Sequence, residues 1–424
     1  MLFVCIKASR NAQTCQRMID MDHDVIVIGG GPAGSSFARI AAGAGLDVLV
    51  VDKRKEIGVP VRCGEGLGMG DLVKEGLDIP RECYSTPVDG AKVIAPNGKS
   101  IVWKTEDTRG YVLERKIFDK WLCELAINKG AKVKTYTRAT EVLKDENGKP
   151  NGVKLSHGGR DPYEVHAPLV VSAEGMESFM ARDMGFKTVH QLYDVDTCYQ
   201  YEMKPYDHEN LIELYFGNVV APRGYVWIFP KSDRKANVGI GGQLESGEKR
   251  GGTKGATPKE YLDRFIQNHD QLKDSSSLLD FGGVISVGAP INEFVKDNCM
   301  VIGTAAKQVD PIHGGGIGLA MQSGIMAANI AIKAKEKNDY SREVLFEYEK
   351  EWRAEPGSIV EKRLLLRKVT EKISDDDFNH IFNCINDTDL MHIMDGNFAG
   401  VVGKVVATRP QMLGVLSALL PGKS

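Results

Sequence analysis

What most constrains this chain is a stretch of about thirty residues near its start, the size of one βαβ unit. Asp24-Val25-Ile26-Val27-Ile28 is apolar and rich in β-branched side chains, as expected of a parallel strand buried on both faces. It runs into Gly29-Gly30-Gly31-Pro32-Ala33-Gly34, a G-x-G-x-x-G, followed by an alanine-rich helical stretch to about Ala44 that carries Phe37, Ile40 and Ala41. Val48-Leu49-Val50-Val51 then reads as a second strand, closed by Asp52. Each part has a physical task. Gly29 permits the tight turn, Gly31 lets backbone approach a pyrophosphate, and Gly34 lets helix and strand pack closely. The helix start offers free N–H groups and the positive end of a dipole. Asp52 is placed to accept hydrogen bonds from the adenosine ribose hydroxyls. A glycine-rich turn with no ligand is the alternative, but it does not account for the ordered strand, helix, strand and acid. The unit predicts a bound dinucleotide and leaves FAD or NAD open.

A second cluster lies far downstream. Cys299-Met300-Val301-Ile302-Gly303 has a buried-strand pattern and leads through Thr304-Ala305-Ala306 to Asp310-Pro311-Ile312-His313-Gly314-Gly315-Gly316-Ile317-Gly318. A helical run from about Leu319 to Lys333 follows, so a second helix start can face a ring on which negative charge collects during reduction.

With these two clusters, the chain resembles the FAD-dependent reductases and hydroxylases of the para-hydroxybenzoate hydroxylase type. Within them it is most similar to the geranylgeranyl reductases, above all the archaeal digeranylgeranylglycerophospholipid reductases. The resemblance runs from about residue 22 to 370. It rests on the first fingerprint with Asp52, on Pro60-Val61-Arg62-Cys63-Gly64-Glu65-Gly66, on Arg115 with Phe118-Asp119, on Gly224-Tyr225-Val226-Trp227-Ile228-Phe229-Pro230-Lys231, and on the Asp310–Gly318 loop. It implies an α/β protein: a Rossmann-like FAD-binding domain (residues 22–189 with 296–340), an antiparallel-sheet substrate domain (190–295) and a helical C-terminal region (341–424). Residues 1–21 read as a tail or an upstream start.

The resemblance further implies that Gly29, Gly31, Ala33, Gly34, Asp52, Cys63, Gly64, Gly66, Arg115, Ala139, Thr304, Gly316 and Ile317 line FAD. Arg115 reads equally well as a surface charge opening a helix with Ile117, Phe118, Trp121, Leu122 and Leu125. The chain departs from the family twice, with Thr304 where the family has aspartate and Glu174 where it has Ala-Asp-Gly. Both departures bear on FAD affinity; at Thr304 a hydroxyl makes a weaker contact than a charge-assisted one.

Alternating and aromatic runs such as Tyr199–Met203 and Ile212–Phe216 predict antiparallel strands in the middle lobe. Tyr225, Trp227 and Phe229 share one face of a strand. Spacing alone allows an ordinary core face; the resemblance favours an aromatic wall for an isoprenoid lipid. Val401–Leu420 reads either as a helix on a membrane surface or as one docked on its own domain. Arg363, Arg367 and Lys368 read as a solvated helix face or as a site for a lipid phosphate.

The reaction implied is reduction of isolated C=C bonds in geranylgeranyl chains, with hydride from reduced FAD and a proton from a nearby acid. Cys63 is the candidate donor, or else only packs against the ring; His313 is a second candidate. No second fingerprint is present for a resident nicotinamide domain, which implies an external electron donor, ferredoxin or NAD(P)H. A flavin hydroxylase and a non-catalytic lipid-binding relative are the rival expectations.

Composition narrows the rest. A formal charge of −3 gives no reason to expect a nucleic-acid partner, and eight cysteines without a C-x-x-C pair argue against a metal centre or disulfide framework. No apolar run approaches the ~20 residues of a membrane span. The expected location is cytoplasmic, with peripheral contact at the inner face of the membrane.

Overall fold

The computed structural model describes residues 22–243 and 256–420. The expectation for residues 1–21 lies outside them. Val25–Ile28 sits at the heart of a six-stranded sheet, parallel to Val48–Val51 on one side and Leu169–Ser172 on the other. Cys299–Val301 and Lys132–Lys134 extend the sheet in parallel, and Val295–Lys296 closes one edge antiparallel. Every residue of the three central strands is buried, which explains their unbroken apolar pattern.

Helices Pro32–Gly43 and Ile317–Lys337 cross in close contact, because Gly324 has no side chain to collide with the Ala33 carbonyl. A smaller antiparallel sheet of Thr137–Lys144, Pro150–His157 and Tyr163–His166 packs into the same core. With 21 residues and an apolar window, Ile317–Lys337 does have the length and composition of a membrane span, contrary to the sequence expectation. The helix is largely buried against the parallel sheet, where an apolar surface is equally required.

The second large sheet has seven strands, in the order Ser276–Ser286, Val195–Lys204, Lys235–Gly242, Tyr225–Lys231, Leu211–Phe216, Gly90–Ile94 and Ser100–Lys104. The last two come from the segment that the sequence assigns to the nucleotide-binding half. Gly90–Ile94 joins by parallel pairing to Leu211–Phe216, a partner more than a hundred residues away with no local signal. One face of this sheet packs Val226, Ile228, Val238 and Ile240 with Leu262 of helix Pro258–Asn268. The other face turns toward the glycine loops.

The C-terminal region is helical through Arg342–Trp352, Ser358–Thr370, Asp375–Cys384, Asp387–Met394 and Ala399–Thr408. Val401, Val402, Val405, Met412 and Leu416 are buried with Val93, Ile101, Val369 and Phe382. The apolar tail is therefore docked on its own molecule, while Leu413 stays exposed.

Candidate active site

The two glycine clusters frame one groove. A β-carbon on Gly29 would collide with the Ala173 carbonyl, and one on Gly34 with the Gly29 carbonyl, so both positions admit only glycine. Nothing lies within 4 Å of where a β-carbon on Gly31 would stand. No side chain from Gly31 caps helix Pro32–Gly43, which leaves its first-turn N–H groups facing that space. Asp52 is held at the strand end by the Gly30 N–H at 3.0 Å and the Arg54 N–H at 2.8 Å. The N–H of Thr137 reaches the Asp52 carbonyl at 2.8 Å, which brings the strand bearing Ala139 to the same end.

From the opposite side Gly303, with φ of 64°, packs beneath Ala33, and its β-carbon would come within 2.8 Å of the alanine methyl. Thr304 turns its hydroxyl toward Gly316, and that hydroxyl has no hydrogen-bond partner among the described residues. Uncapped N–H groups, an acid at the strand tip and a free hydroxyl are what a pyrophosphate, a ribose and a ribityl chain need, so the groove fits FAD. Glu174 does not face the groove. Its carboxylate accepts the Ser172 hydroxyl at 2.8 Å and the N–H groups of Met180 and Ala181 at 3.1 Å, capping helix Phe179–Asp183. This residue therefore has a local structural task as a helix cap.

Cys63 stands where the groove meets the seven-stranded sheet. Its sulfur accepts the Glu65 N–H at 3.2 Å, and its carbonyl accepts Nε2 of Gln200 at 3.3 Å. Gln200 in turn accepts the indole N–H of Trp227 at 2.9 Å. Arg115 faces the Cys63 sulfur and forms two 2.7 Å bonds to Asp119. Burial works against its charge, but Asp119 and Cys63 more than compensate and hold the guanidinium protonated. Arg115 is thus neither a loose surface charge nor detached from the site.

Glu65, which has a left-handed backbone (φ 76°), gathers three donors. It accepts the Arg115 N–H at 3.0 Å, Nζ of Lys231 at 3.0 Å and Nδ2 of Asn237 at 2.9 Å. Lys231 is fully buried and also reaches Glu114 at 3.0 Å and Glu202 at 3.4 Å. Burial alone would lower its pKa, and Glu65 and Glu114 reverse that and raise it. Glu65 and Lys231 both lie in the stretches that carry the resemblance, yet neither has a role that sequence reasoning found. The two segments are 166 residues apart, and pattern alone does not reveal a long-range ion pair.

Tyr225, Trp227 and Phe229 do share a face, with ring centroids 5.9 and 6.3 Å apart. Their surroundings differ. The Phe229 ring lies over Gly64 and Gly66, where added β-carbons would come to 3.0 and 3.1 Å from it. Trp227 is buried over Gly239 and Gly241. Tyr225 donates its hydroxyl to the His313 carbonyl at 2.6 Å, pinning the downstream glycine loop to the sheet. Ile317 packs with Leu67, Phe118 and Met321 beside Cys63.

Arg363 and Arg367 are not on a solvated face, because each is spent on a buried acid. Arg367 holds Asp196 at 2.7 and 3.0 Å, the Pro311 carbonyl at 3.0 Å and Glu371 at 2.8 Å. Arg363 pairs with Asp310 and bonds the Met394 carbonyl at 2.6 Å. Burial pushes the Asp310 pKa up, but His313 and Arg363 outweigh it and hold the carboxyl well below its ordinary range. His313, at 3.2 Å from Asp310, is thereby tied into the loop.

Residues 24–182 match the model of the FAD dependent oxidoreductase family, and residues 194–285 that of the geranylgeranyl reductase catalytic domain. The chain is 37% identical over 403 residues to the digeranylgeranylglycerophospholipid reductase of Methanoculleus marisnigri, spanning 94% of this chain and 98% of that one. The enzyme of that name from Methanocaldococcus jannaschii is 36% identical, with coverages of 94% and 98%. Among solved structures, a geranylgeranyl bacteriochlorophyll reductase-like protein from Thermoplasma acidophilum superposes with a TM-score of 0.85 at 34% identity, covering 94% of this chain and 99% of that one. The flavin-dependent brominase Bmp2, at 18% identity and a TM-score of 0.64, shares the fold alone.

Proposed function

This chain belongs to the digeranylgeranylglycerophospholipid reductase family, and from that membership we propose that it saturates isolated C=C bonds in the geranylgeranyl chains of archaeal-type ether phospholipids with FAD as cofactor. The observation that carries the proposal is the contact of the Cys63–Gly66 segment with Phe229, Trp227 and Lys231 of the seven-stranded sheet, at the mouth of the groove that fits FAD.

The residues that would hold FAD are Gly29, Gly31, Ala33 and Gly34 at the pyrophosphate, Asp52 and Ala139 toward the adenosine, and Thr304, Gly316 and Ile317 from the other side. Cys63, Gly64, Gly66 and Arg115 would border the ring. When bound, FAD supplies the hydride that goes to one carbon of the double bond. The proton for the other carbon comes from the Cys63 thiol, and Arg115 beside the sulfur stabilises the thiolate left behind. The thiolate is then reprotonated from water. Tyr225, Trp227 and Phe229 present an apolar surface to the isoprenoid chain. Burial of such a chain away from water is worth about 0.8 kcal/mol per methylene, so an apolar cavity offsets what the chain loses on leaving the bilayer. Electrons arrive from an external donor, ferredoxin or NAD(P)H, and the enzyme works at the cytoplasmic face of the membrane.

Two experiments test this assignment. Oxygen uptake is measured during turnover: a reductase forms product with none, whereas uptake matching product would make the chain a hydroxylase. Cys63→Ala is then compared with wild type in single turnover, and saturation at an unchanged rate would remove the thiol from the chemistry.

A further inference from the structure

Helix Ile317–Lys337 starts at Gly316, beside the site proposed for the flavin ring, and Gly316 supplies no side-chain cap. An acid flanks its first turn, however. The Asp71 carboxylate lies directly against Gly318, the second residue of that helix, where a β-carbon would collide with it. Oδ1 of Asp71 accepts Nε2 of Gln322 at 2.8 Å, one turn further along. Oδ2 has no donor, and the carboxylate forms no ion pair, among the described residues. Burial raises the Asp71 pKa and outweighs the more distant positive charges of Lys74, His313 and Arg363. Glu75 follows one turn later and adds a second acid, paired with Arg39 at 3.1 Å.

We propose that Asp71 sets the reducing power of the bound flavin: its carboxylate, beside the first turn, offsets the positive helix end that would otherwise stabilise the negative charge brought by reduction. The proposal rests on the FAD assignment above. A helix N-terminus carries roughly half a positive charge, and an ionised carboxylate in its first turn both cancels that charge and repels a second anion nearby. Reduced flavin in such a site is less stabilised and so is a stronger donor. An isolated C=C bond has no neighbouring group to accept charge, so its reduction calls for such a donor.

The test uses flavin-loaded protein without lipid and measures the midpoint potential of the flavin in wild type, Asp71→Asn and Asp71→Ser by spectroelectrochemical titration. At pH 8 both variants are expected to shift the reduction equilibrium toward reduced flavin by at least tenfold, about 30 mV for a two-electron couple. The gap should narrow as the pH is lowered and Asp71 in the wild type takes up a proton, a trend that a merely structural residue would not give. An unchanged potential in a variant that retains its flavin overturns the proposal. A wild-type protein that binds no flavin defeats it together with the FAD assignment, and the missing flavin spectrum distinguishes that failure from the first.

Discussion

Lys231 and Glu65 form the buried ion pair that joins the cysteine–glycine segment to the sheet above it. Removing one partner of such a pair strands the other charge, which costs about 3–5 kcal/mol. Lys231→Met should therefore lower stability by that amount in urea denaturation, and Lys231→Arg, which keeps the charge, by clearly less; equal losses would mean that packing, not charge, is what matters. Glu75 is a second residue with a measurable signature. Its side chain is almost wholly buried, and burial pushes its pKa from 4.5 to about 7 despite Arg39. The folded state thus keeps this proton while the unfolded state gives it up, so the contribution is intact below pH 4.5 and is lost as pH rises toward 7. Relative to Glu75→Gln, the wild type should lose on the order of 3 kcal/mol between pH 4.5 and 8. Parallel stability–pH curves for the two proteins would refute the shift.

At the scale of elements, helix Ser358–Thr370 fastens the flavin-side loop to the substrate sheet through Arg363–Asp310 and Arg367–Asp196. Arg367→Leu should weaken FAD affinity at least tenfold, read by quenching of flavin fluorescence; unaltered affinity would show that the loop holds itself. Gly324→Ala should cost about 1–3 kcal/mol in thermal unfolding, because its methyl meets the Ala33 carbonyl where the two glycine-led helices cross. What was legible in the sequence follows from the same distinction between local and distant. The strands at Val25–Ile28 and Val48–Val51 and both glycine loops were readable, because burial on both faces and tight turns are written in adjacent residues. The pairing of Gly90–Ile94 with Leu211–Phe216 was not, and nor was the pairing of Arg363 and Arg367 with buried acids. A charge on a helix shows its spacing in the sequence but not the acid that awaits it from another segment. Asp71 gave no signal at all, since its significance comes from Gly318 and Gln322, about 250 residues away.

For the molecule as a whole, two sheets from different parts of the chain enclose one groove, and the C-terminal helices lock them together. The groove fits a dinucleotide at one end, and at the other it presents a thiol, a guanidinium and an aromatic strand face. That arrangement accounts for a reductase that handles a long apolar chain. The most direct test of this account is an anaerobic incubation of the purified protein with a reductant and a geranylgeranylated glycerophospholipid, following flavin absorbance and product mass together. The account requires flavin reoxidation upon addition of lipid, with mass gains of two hydrogens per step. Reduced flavin that persists with the lipid unchanged, and reoxidises only when oxygen is admitted, would contradict it.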